Sequence, residues 1–427
     1  NQEVAHKRDM EFIFSNFKNF KNLDYISIWF YKSALFIRNT NYCSNFVSTN
    51  SIVQGDQVSL LWPIIFGLKI EIGIGVSEFM WSNNAKNKAG VTVVIIGLKS
   101  IKNKTQKKFY VNDYCRNVNN ISPYLKVGNN TIIKRKSHPI NNLPEMIYGN
   151  EPREGGHLML TFQEKNKLIE AAPGSLKYIK RVTGSNEYIK DIERFCLWLT
   201  DDEDWKSIPE IVSKVNMVKE YRLTSKRKGT VKASTIPHLF TSITHMEKSS
   251  IIVPVVSSFN RHYIPLGFVE KSTVILNSAQ LIYTDETYVF SILNSLIHNL
   301  WVKMTSGKLR SDIRYSSQIS YNTFPFPEIS KQRKEELTQC TLKIIDERLK
   351  HSEKTLAQLY DPIKMPEGLK EAHRQNDLAV ERCYRSTPFS SDEERLEYLF
   401  KLYEKMIQEE KDKDTLFAKE KKIRKRK

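Results

Sequence analysis

Residues 70–96 read IEIGIGVSEFMWSNNAKNKAGVTVVII. The first arm, Ile70-Glu71-Ile72-Gly73-Ile74, alternates apolar residues and predicts a half-buried strand. The last arm, Val91-Thr92-Val93-Val94-Ile95-Ile96, is rich in β-branched residues and predicts a strand buried on both faces. Between them Phe79-Met80-Trp81-Ser82-Asn83-Asn84-Ala85-Lys86 reads as a loop carrying two aromatics, amides and a lysine. Loops on a rigid sheet commonly carry function. Aromatic rings beside amides and a cation suit a flat, polar-edged ligand such as a nucleobase. The plainer alternative is that Phe79 and Trp81 only cap the core beneath them.

Upstream, residues 23–38 (LDYISIWFYKSALFIR) repeat apolar side chains at helical spacing. Residues 45–52 predict a strand running into a polar turn, and residues 56–65 a helix that Pro63 disturbs near its end. Helix, strand, helix, strand, aromatic loop, strand is the rhythm of an α/β sheet, its last pair antiparallel. Residues 1–21 are polar, without a cap signal, and read as a chain entered in its middle. Gly73-Ile74-Gly75-Val76 has no third glycine and no following helix, so it reads as a kinked strand, not a nucleotide loop.

Downstream, residues 101–138 are rich in Asn, Lys and turn residues and read as a connector. From 139 to 327 short apolar segments alternate with Gly, Pro and basic residues. Strands are expected at 262–268 and 273–276, and a buried helix at 288–303. After Pro327 the composition turns helical. Residues 331–359 form a charged, heptad-like pattern, broken by Asp361-Pro362 and Met365-Pro366, and residues 367–384 and 391–411 are amphipathic. Ser390 or Ser391 can cap the last of these, with Glu393 and Glu394 in its first turn. Residues 419–427 are almost all basic and read as a solvated tail. The expected division is 1–100, 101–138, 139–327 and 328–427.

The 427 residues are 40% hydrophobic and carry a net charge of +18, enough for two or three domains with real cores. So large a basic excess on a folded chain points to a polyanion. The longest apolar runs, 60–68 and 91–98, are too short to span a bilayer, which makes a membrane the weaker option. Five scattered cysteines form no close pair, and nine histidines show no ligand spacing. A reducing, cytoplasmic setting without disulfides or a metal site is expected.

The middle segment holds four clusters in which charge meets aromatic or amide groups. Lys177, Lys180 and Arg181 flank Tyr178; Arg153 stands beside Gly155 and Gly156; Asn260 and Arg261 lie among Phe259, His262 and Tyr263; Lys308, Arg310 and Arg314 share one short stretch. Arginine matches guanine bidentately, Asn matches adenine, and both lysine and arginine bind phosphate oxygens. Each cluster alone is weak evidence, because surface cations are common; four in one segment are stronger together. No spacing of carboxylates or of Ser, His and Asp marks a catalytic set, so no catalytic residue is assigned.

The order and wording of several stretches resemble the C-terminal half of adenine-specific DNA methyltransferases of the MmeI-like type. These are restriction–modification proteins that carry nuclease, methyltransferase and target recognition in one polypeptide. The matching stretches are 45–56 (NFVSTNSIVQGD), 79–83 with 91–97, 144–158 (PEMIYGNEPREGGHL), 195–199 (FCLWL), 252–268 (IVPVVSSFNRHYIPLGF), 307–316 (GKLRSDIRYS), 321–327 (YNTFPFP), and 359–369 with 394–403. The resemblance implies an α/β fold: the back half of a Rossmann-like methyltransferase sheet to about Leu98, an α+β target-recognition domain over 139–327, and a C-terminal helical region. It implies that Phe79, or alternatively Trp81, stacks on an adenine flipped out of duplex DNA. Flipping is needed because the amine to be methylated is paired inside the helix. It also implies S-adenosylmethionine as methyl donor.

The family's glycine-rich cofactor loop and its Asn/Asp-Pro-Pro-aromatic tetrapeptide are absent from this sequence. Asp361-Pro362-Ile363 stands in the wrong place to replace the latter. By the family's motif order Asn1 falls just after that tetrapeptide, and the nuclease motif is missing too, so the chain reads as a truncated or split product. The expectation is the recognition-bearing portion of an adenine-specific DNA methyltransferase, binding double-stranded DNA and inactive alone, with the missing N-terminal half as a partner in trans. The alternatives are a non-catalytic specificity subunit serving separate enzymes, and an RNA-binding or structural basic protein.

Overall fold

The computed structural model describes residues 2–81, 91–112, 114–201, 203–309 and 312–424. They fold into two compact units, each assembled from separate stretches of chain. The first contains residues 1–141, 300–326 and 389–427, and the second 142–299 and 327–388.

In the first unit helices α1 (Val4–Phe14) and α2 (Ser27–Ile37) precede strand β1 (Cys43–Thr49), helix α3 (Gly55–Gly67), and strands β2 (Ile70–Trp81) and β3 (Val91–Ser100). Strands β4 (Lys107–Val111) and β5 (Tyr114–Val118) complete a five-stranded sheet of order β1-β3-β2-β4-β5. As expected, β2 and β3 are antiparallel, and β3 is almost wholly buried beyond its first two residues. The core beneath holds Phe30, Trp62, Val94, Ile96 and Leu98, all fully buried. Phe30 stacks on Phe46 at 4.6 Å, and the Trp62 indole donates to the Ile52 carbonyl at 2.9 Å.

Two expectations change here, and the kinked strand expected at 73–76 is found. Residues 101–138 are more than a connector, because β4 pairs in parallel with β2 and Glu71 of β2 holds Lys107 of β4 at 2.7 Å. The glycines of 73–76 are packing devices within β2. Gly73 is the extra residue of a bulge, and a Cβ on Gly75 would come within 2.9 Å of Leu125 and 3.0 Å of Phe109. Helix α3 also runs past Pro63 to Gly67, with the proline on its exposed face.

The second unit contains two four-stranded sheets. One pairs β6 (Ile147–Tyr148) with Ala279–Tyr283, then Ser250–Pro254, then Gly267–Val269, all antiparallel. The other joins β7 (Met159–Leu160), β8 (Ile179–Thr183), β9 (Phe195–Leu197) and Val274–Ile275. Helices α4 (Phe162–Ala171), α5 (Ser185–Lys190), α6 (Pro209–Leu223) and α7 (Lys228–Lys232) lie between these strands in sequence. A core of Leu158, Leu160, Val182, Leu197, Ile211, Val218 and Val274 packs under the second sheet. The strand expected over 262–268 shrinks to Gly267–Val269. The helix expected over 288–303 is two, Tyr288–Leu293 and Leu296–Thr305. Ser295 causes the break by capping the second, its hydroxyl accepting from the His298 N–H at 3.3 Å.

Helices Lys331–Leu349 and Glu367–Glu381 belong to the same unit and are tied to the strands by a buried polar network. The Arg348 guanidinium donates to the Leu266 carbonyl at 2.7 Å and to the Tyr360 hydroxyl at 2.8 Å. Tyr360 meets the His373 ring nitrogen at 2.8 Å. His373 stacks on Tyr263 at 4.0 Å, and the Tyr263 hydroxyl donates to Asp377 at 2.7 Å. Burial, aided by Arg348, holds the His373 imidazole well below its ordinary range. Burial alone pushes His298 down to about 3.

Both histidines are therefore neutral in the fold and protonate in the unfolded chain below about pH 6.5. Their stabilisation is present above that pH and is lost as pH falls towards their depressed folded values. The slope approaches about 1.4 kcal/mol per pH unit for each histidine. Urea midpoints of the second unit's transition, measured from pH 7 to pH 5, are expected to fall, and less steeply in His373→Gln. Equal midpoints across that range would contradict the assignment.

Candidate nucleic-acid interface

Phe79, Met80 and Trp81 are strand residues, not loop residues: they pair with Val93, Thr92 and Val91 of β3. Residues 82–86, the rest of the expected loop, lie outside the described residues. Between Val76 and Phe79 the register slips by one residue, a second bulge, and bulges re-aim the side chains that follow. Beyond it Phe79 and Trp81 share one face, as alternate strand residues do. Their ring centroids are 6.5 Å apart and their planes tilted by 44°. Phe79 is half-buried and Trp81 is 47% exposed. The rings do not lie flat on one another.

Glu78 stands beside this pair and joins two segments remote in sequence. One carboxylate oxygen accepts from the Gln54 amide at 2.6 Å, and the other from the Lys308 ammonium at 2.5 Å. Lys308 sits on a hairpin of Gly307–Leu309 and Asp312–Arg314, with its side chain only 8% exposed. It is thus a buried, neutralised cation. Arg314 on the same hairpin is exposed. Arg310 lies outside the described residues.

The other sequence-derived candidates are in the second unit. Lys177 is exposed and pairs with Asp204 at 3.2 Å. Its ammonium pKa is raised by its bonds to Tyr178 and Asp204. Lys180 pairs with Glu247 and stands 5.8 Å from the Trp198 ring centre. Burial and the Lys180 charge hold the neighbouring His245 below its ordinary range, and Lys180 lowers Glu247. Arg181 is exposed on β8 and Asn260 is exposed in a turn. Arg261 is half-buried in that turn, its N–H donating to the Ser258 carbonyl at 3.2 Å.

Arg153 occupies a turn with left-handed backbone, φ +41°, followed by Gly155 at +72° and Gly156 at +91°. Only glycine adopts such angles freely, and a Cβ on Gly155 would also come within 2.8 Å of the Tyr221 ring. The Arg153 guanidinium reaches Glu151 at 2.7 Å and the Thr230 hydroxyl at 3.1 Å.

Sequence reading missed Arg222, which fixes this turn. Its guanidinium is fully buried and donates to five carbonyls: Pro152 at 3.0 Å, Arg153 at 3.0 Å, Ala233 at 2.9 Å, Ile236 at 3.0 Å and Leu239 at 2.7 Å. Burial lowers its pKa while the nearby Glu154 charge raises it. Also missed were Lys219, Lys226, Arg227, Lys228 and Lys232, all exposed around the ends of α6 and α7. The run at 226–228 is plain in the sequence. A run does not reveal whether folding brings carboxylates to neutralise it.

The glycines of β2 do not form a cradle for a nucleotide-like cofactor, because Lys99, Leu125 and Phe109 fill the space in front of them. The described residues therefore do not fit S-adenosylmethionine by that route.

Three family models tile the chain. The MmeI DNA-methyltransferase domain matches residues 1–111, the MmeI target recognition domain 127–328, and the MmeI C-terminal domain 329–409. DNA methyltransferase A of Bacillus subtilis (strain 168) is 44% identical over 409 residues, which is 95% of this chain and 46% of that protein. A structure of the type IIL restriction-modification enzyme MmeI in complex with DNA matches with a TM-score of 0.90 at 35% identity, covering 96% of this chain and 56% of that one. This chain spans about half the length of the relatives it matches.

Replacing Arg222 by Met would leave five carbonyls without their donor. Urea unfolding is expected to show a loss of about 3–5 kcal/mol. Arg222→Lys should restore little of it, since an ammonium has three donors where the fork has five. An Arg222→Met protein as stable as the parent would refute the role.

Proposed function

The chain belongs to the MmeI family of DNA methyltransferases, and on that premise we propose that it is the recognition-bearing portion of an adenine-specific enzyme. The whole enzyme moves a methyl group from S-adenosylmethionine to a flipped adenine within a specific duplex site, as part of a cytoplasmic restriction–modification system. The observation that carries the reading is the likeness, over 96% of the chain, to a protein whose structure was solved with DNA. In this reading residues 1–100 are the back half of the methyltransferase domain, the strands within 101–138 complete its sheet, 139–327 are the recognition domain and 328–427 a helical support.

Phe79 stacks on the extruded base, with Trp81 beside it or in its place. A ring face offsets the stacking that the base loses on leaving the helix, by about 1–3 kcal/mol. Arg181, Asn260 and Arg314 are exposed and reach DNA directly. Lys177, Lys180 and Arg153 do so by exchanging a carboxylate for a phosphate or a base edge. Arg261 and Arg310 complete the set. Lys308, held by Glu78, positions the hairpin under Arg314 more than it meets phosphate. The methyl donor is held mainly by residues that this chain does not contain, so the chain alone binds DNA and transfers nothing.

A chimera in which this chain replaces the matching residues of the Bacillus subtilis relative tests the reading. It is expected to place labelled methyl groups on adenine N6 of duplex DNA, while the isolated chain incorporates none. Phe79→Ala in the chimera should lower kcat/KM by about 10- to 100-fold, on the same stacking magnitude, and abolish the fluorescence rise of 2-aminopurine at the target position. Methylation of cytosine, or a Phe79→Ala chimera at full rate, would refute it.

A further inference from the structure

The cations of the second unit fall into two classes. Lys177, Lys180 and Arg153 each face a carboxylate, Asp204, Glu247 and Glu151. Lys219, Lys226, Arg227, Lys228 and Lys232 are exposed, and among the described residues none of them is in an ion pair. They lie within fourteen residues that include a single acid, Glu220. Lys228 and Lys232 stand four apart on α7 and so share one face.

Two contacts set the segment that carries these cations against the Arg153 turn. Thr230 of α7 accepts from the Arg153 guanidinium at 3.1 Å, and Tyr221, at 45% exposure, packs its ring over Gly155. Both ends of the surface are anchored by Arg222, which binds the turn at 152–153 and the segment at 233–239 together.

We propose that Lys219, Lys226, Arg227, Lys228 and Lys232 form the main phosphate-binding surface of the second unit and carry the DNA backbone beside the Arg153 turn. The proposal rests on the DNA-binding function argued above. Unpaired cations keep their own counterions, and a phosphate that binds them releases the counterions condensed on DNA. A cation already paired must first surrender its carboxylate. The unpaired cluster therefore dominates sequence-independent affinity, while the paired set with Arg181 and Asn260 is left to discriminate among sequences.

The test measures fluorescence anisotropy of a 30-bp mixed-sequence duplex against the full chain from about 50 to 200 mM KCl, the range in which counterion release is read. The variants are Lys226→Gln/Arg227→Gln/Lys228→Gln/Lys232→Gln and, as the paired control, Lys177→Gln/Lys180→Gln; unchanged melting temperatures verify folding. The quadruple variant is expected to bind about tenfold or more weakly, with a log Kd against log [KCl] slope shallower by about 2–4. The control should change both far less. If the parent binds and the quadruple variant keeps its affinity and slope, the surface is wrong while the DNA-binding function stands. The surface is equally wrong if the control loses as much, or if only single-stranded RNA binding suffers. A parent that fails to bind the duplex even at the lowest salt overturns both.

Discussion

A guanidinium without a bonded carboxylate, closed in on every side and satisfied by five backbone carbonyls, is the constraint on which the Arg153 turn of the second unit depends. Arg222 stands at the end of α6 and gathers two segments that have no ladder of their own, residues 152–153 and 233–239. Irregular backbone is costly to bury because its carbonyls lose water. A fork of five donors meets that cost from one side chain. Glu154, itself 5% exposed, supplies the opposing charge, and its carboxylate accepts from the Leu158 N–H at 2.6 Å. The turn is thereby held from both strands of its own loop. Its left-handed angles at Arg153, Gly155 and Gly156 persist because this surrounding lattice determines them.

That rigidity changes what the exposed cations mean. A flexible lysine-rich loop gains little from one phosphate, because ordering the loop consumes the gain. Cations mounted beside an immobile turn lose only their side-chain freedom. The net charge of +18 is thus not spread evenly in effect. Lys308 is buried against Glu78, and Lys177 faces Asp204 at 3.2 Å.

The legible parts of the fold were those whose neighbours in space are also neighbours in sequence. The β2 and β3 arms follow from alternation and β-branching, and a serine cap at 390 or 391 follows from residue type; the Glu394 N–H reaches the Ser391 hydroxyl at 3.2 Å. What failed depended on distant partners. Strands β4 and β5 are only five residues each, and β4 finds its second partner in β2, some thirty residues earlier. Phe79–Trp81 looked like loop because aromatics and amides crowd together there. A bulge at Val76, invisible to periodicity, lets the strand continue. Among the candidate site residues, the sequence identified cations but not their partners, so it could not separate Lys308 from Arg314, and it passed over Arg222 because a buried arginine looks like any other in a helix.

The shift of Phe79 from loop to strand strengthens its proposed part rather than weakening it. A ring on a loop must be ordered each time a base arrives, and that entropy is subtracted from the stacking gain. A ring on a strand whose backbone is already paired residue for residue with Val93 and Val91 has no such debt. The second bulge then matters for direction. Without the extra residue, Phe79 and Trp81 would exchange faces with Met80, since a one-residue slip inverts every side chain beyond it. Met80 instead accepts from the Thr92 hydroxyl at 3.5 Å, while the two rings stand together with centroids 6.5 Å apart and planes tilted by 44°.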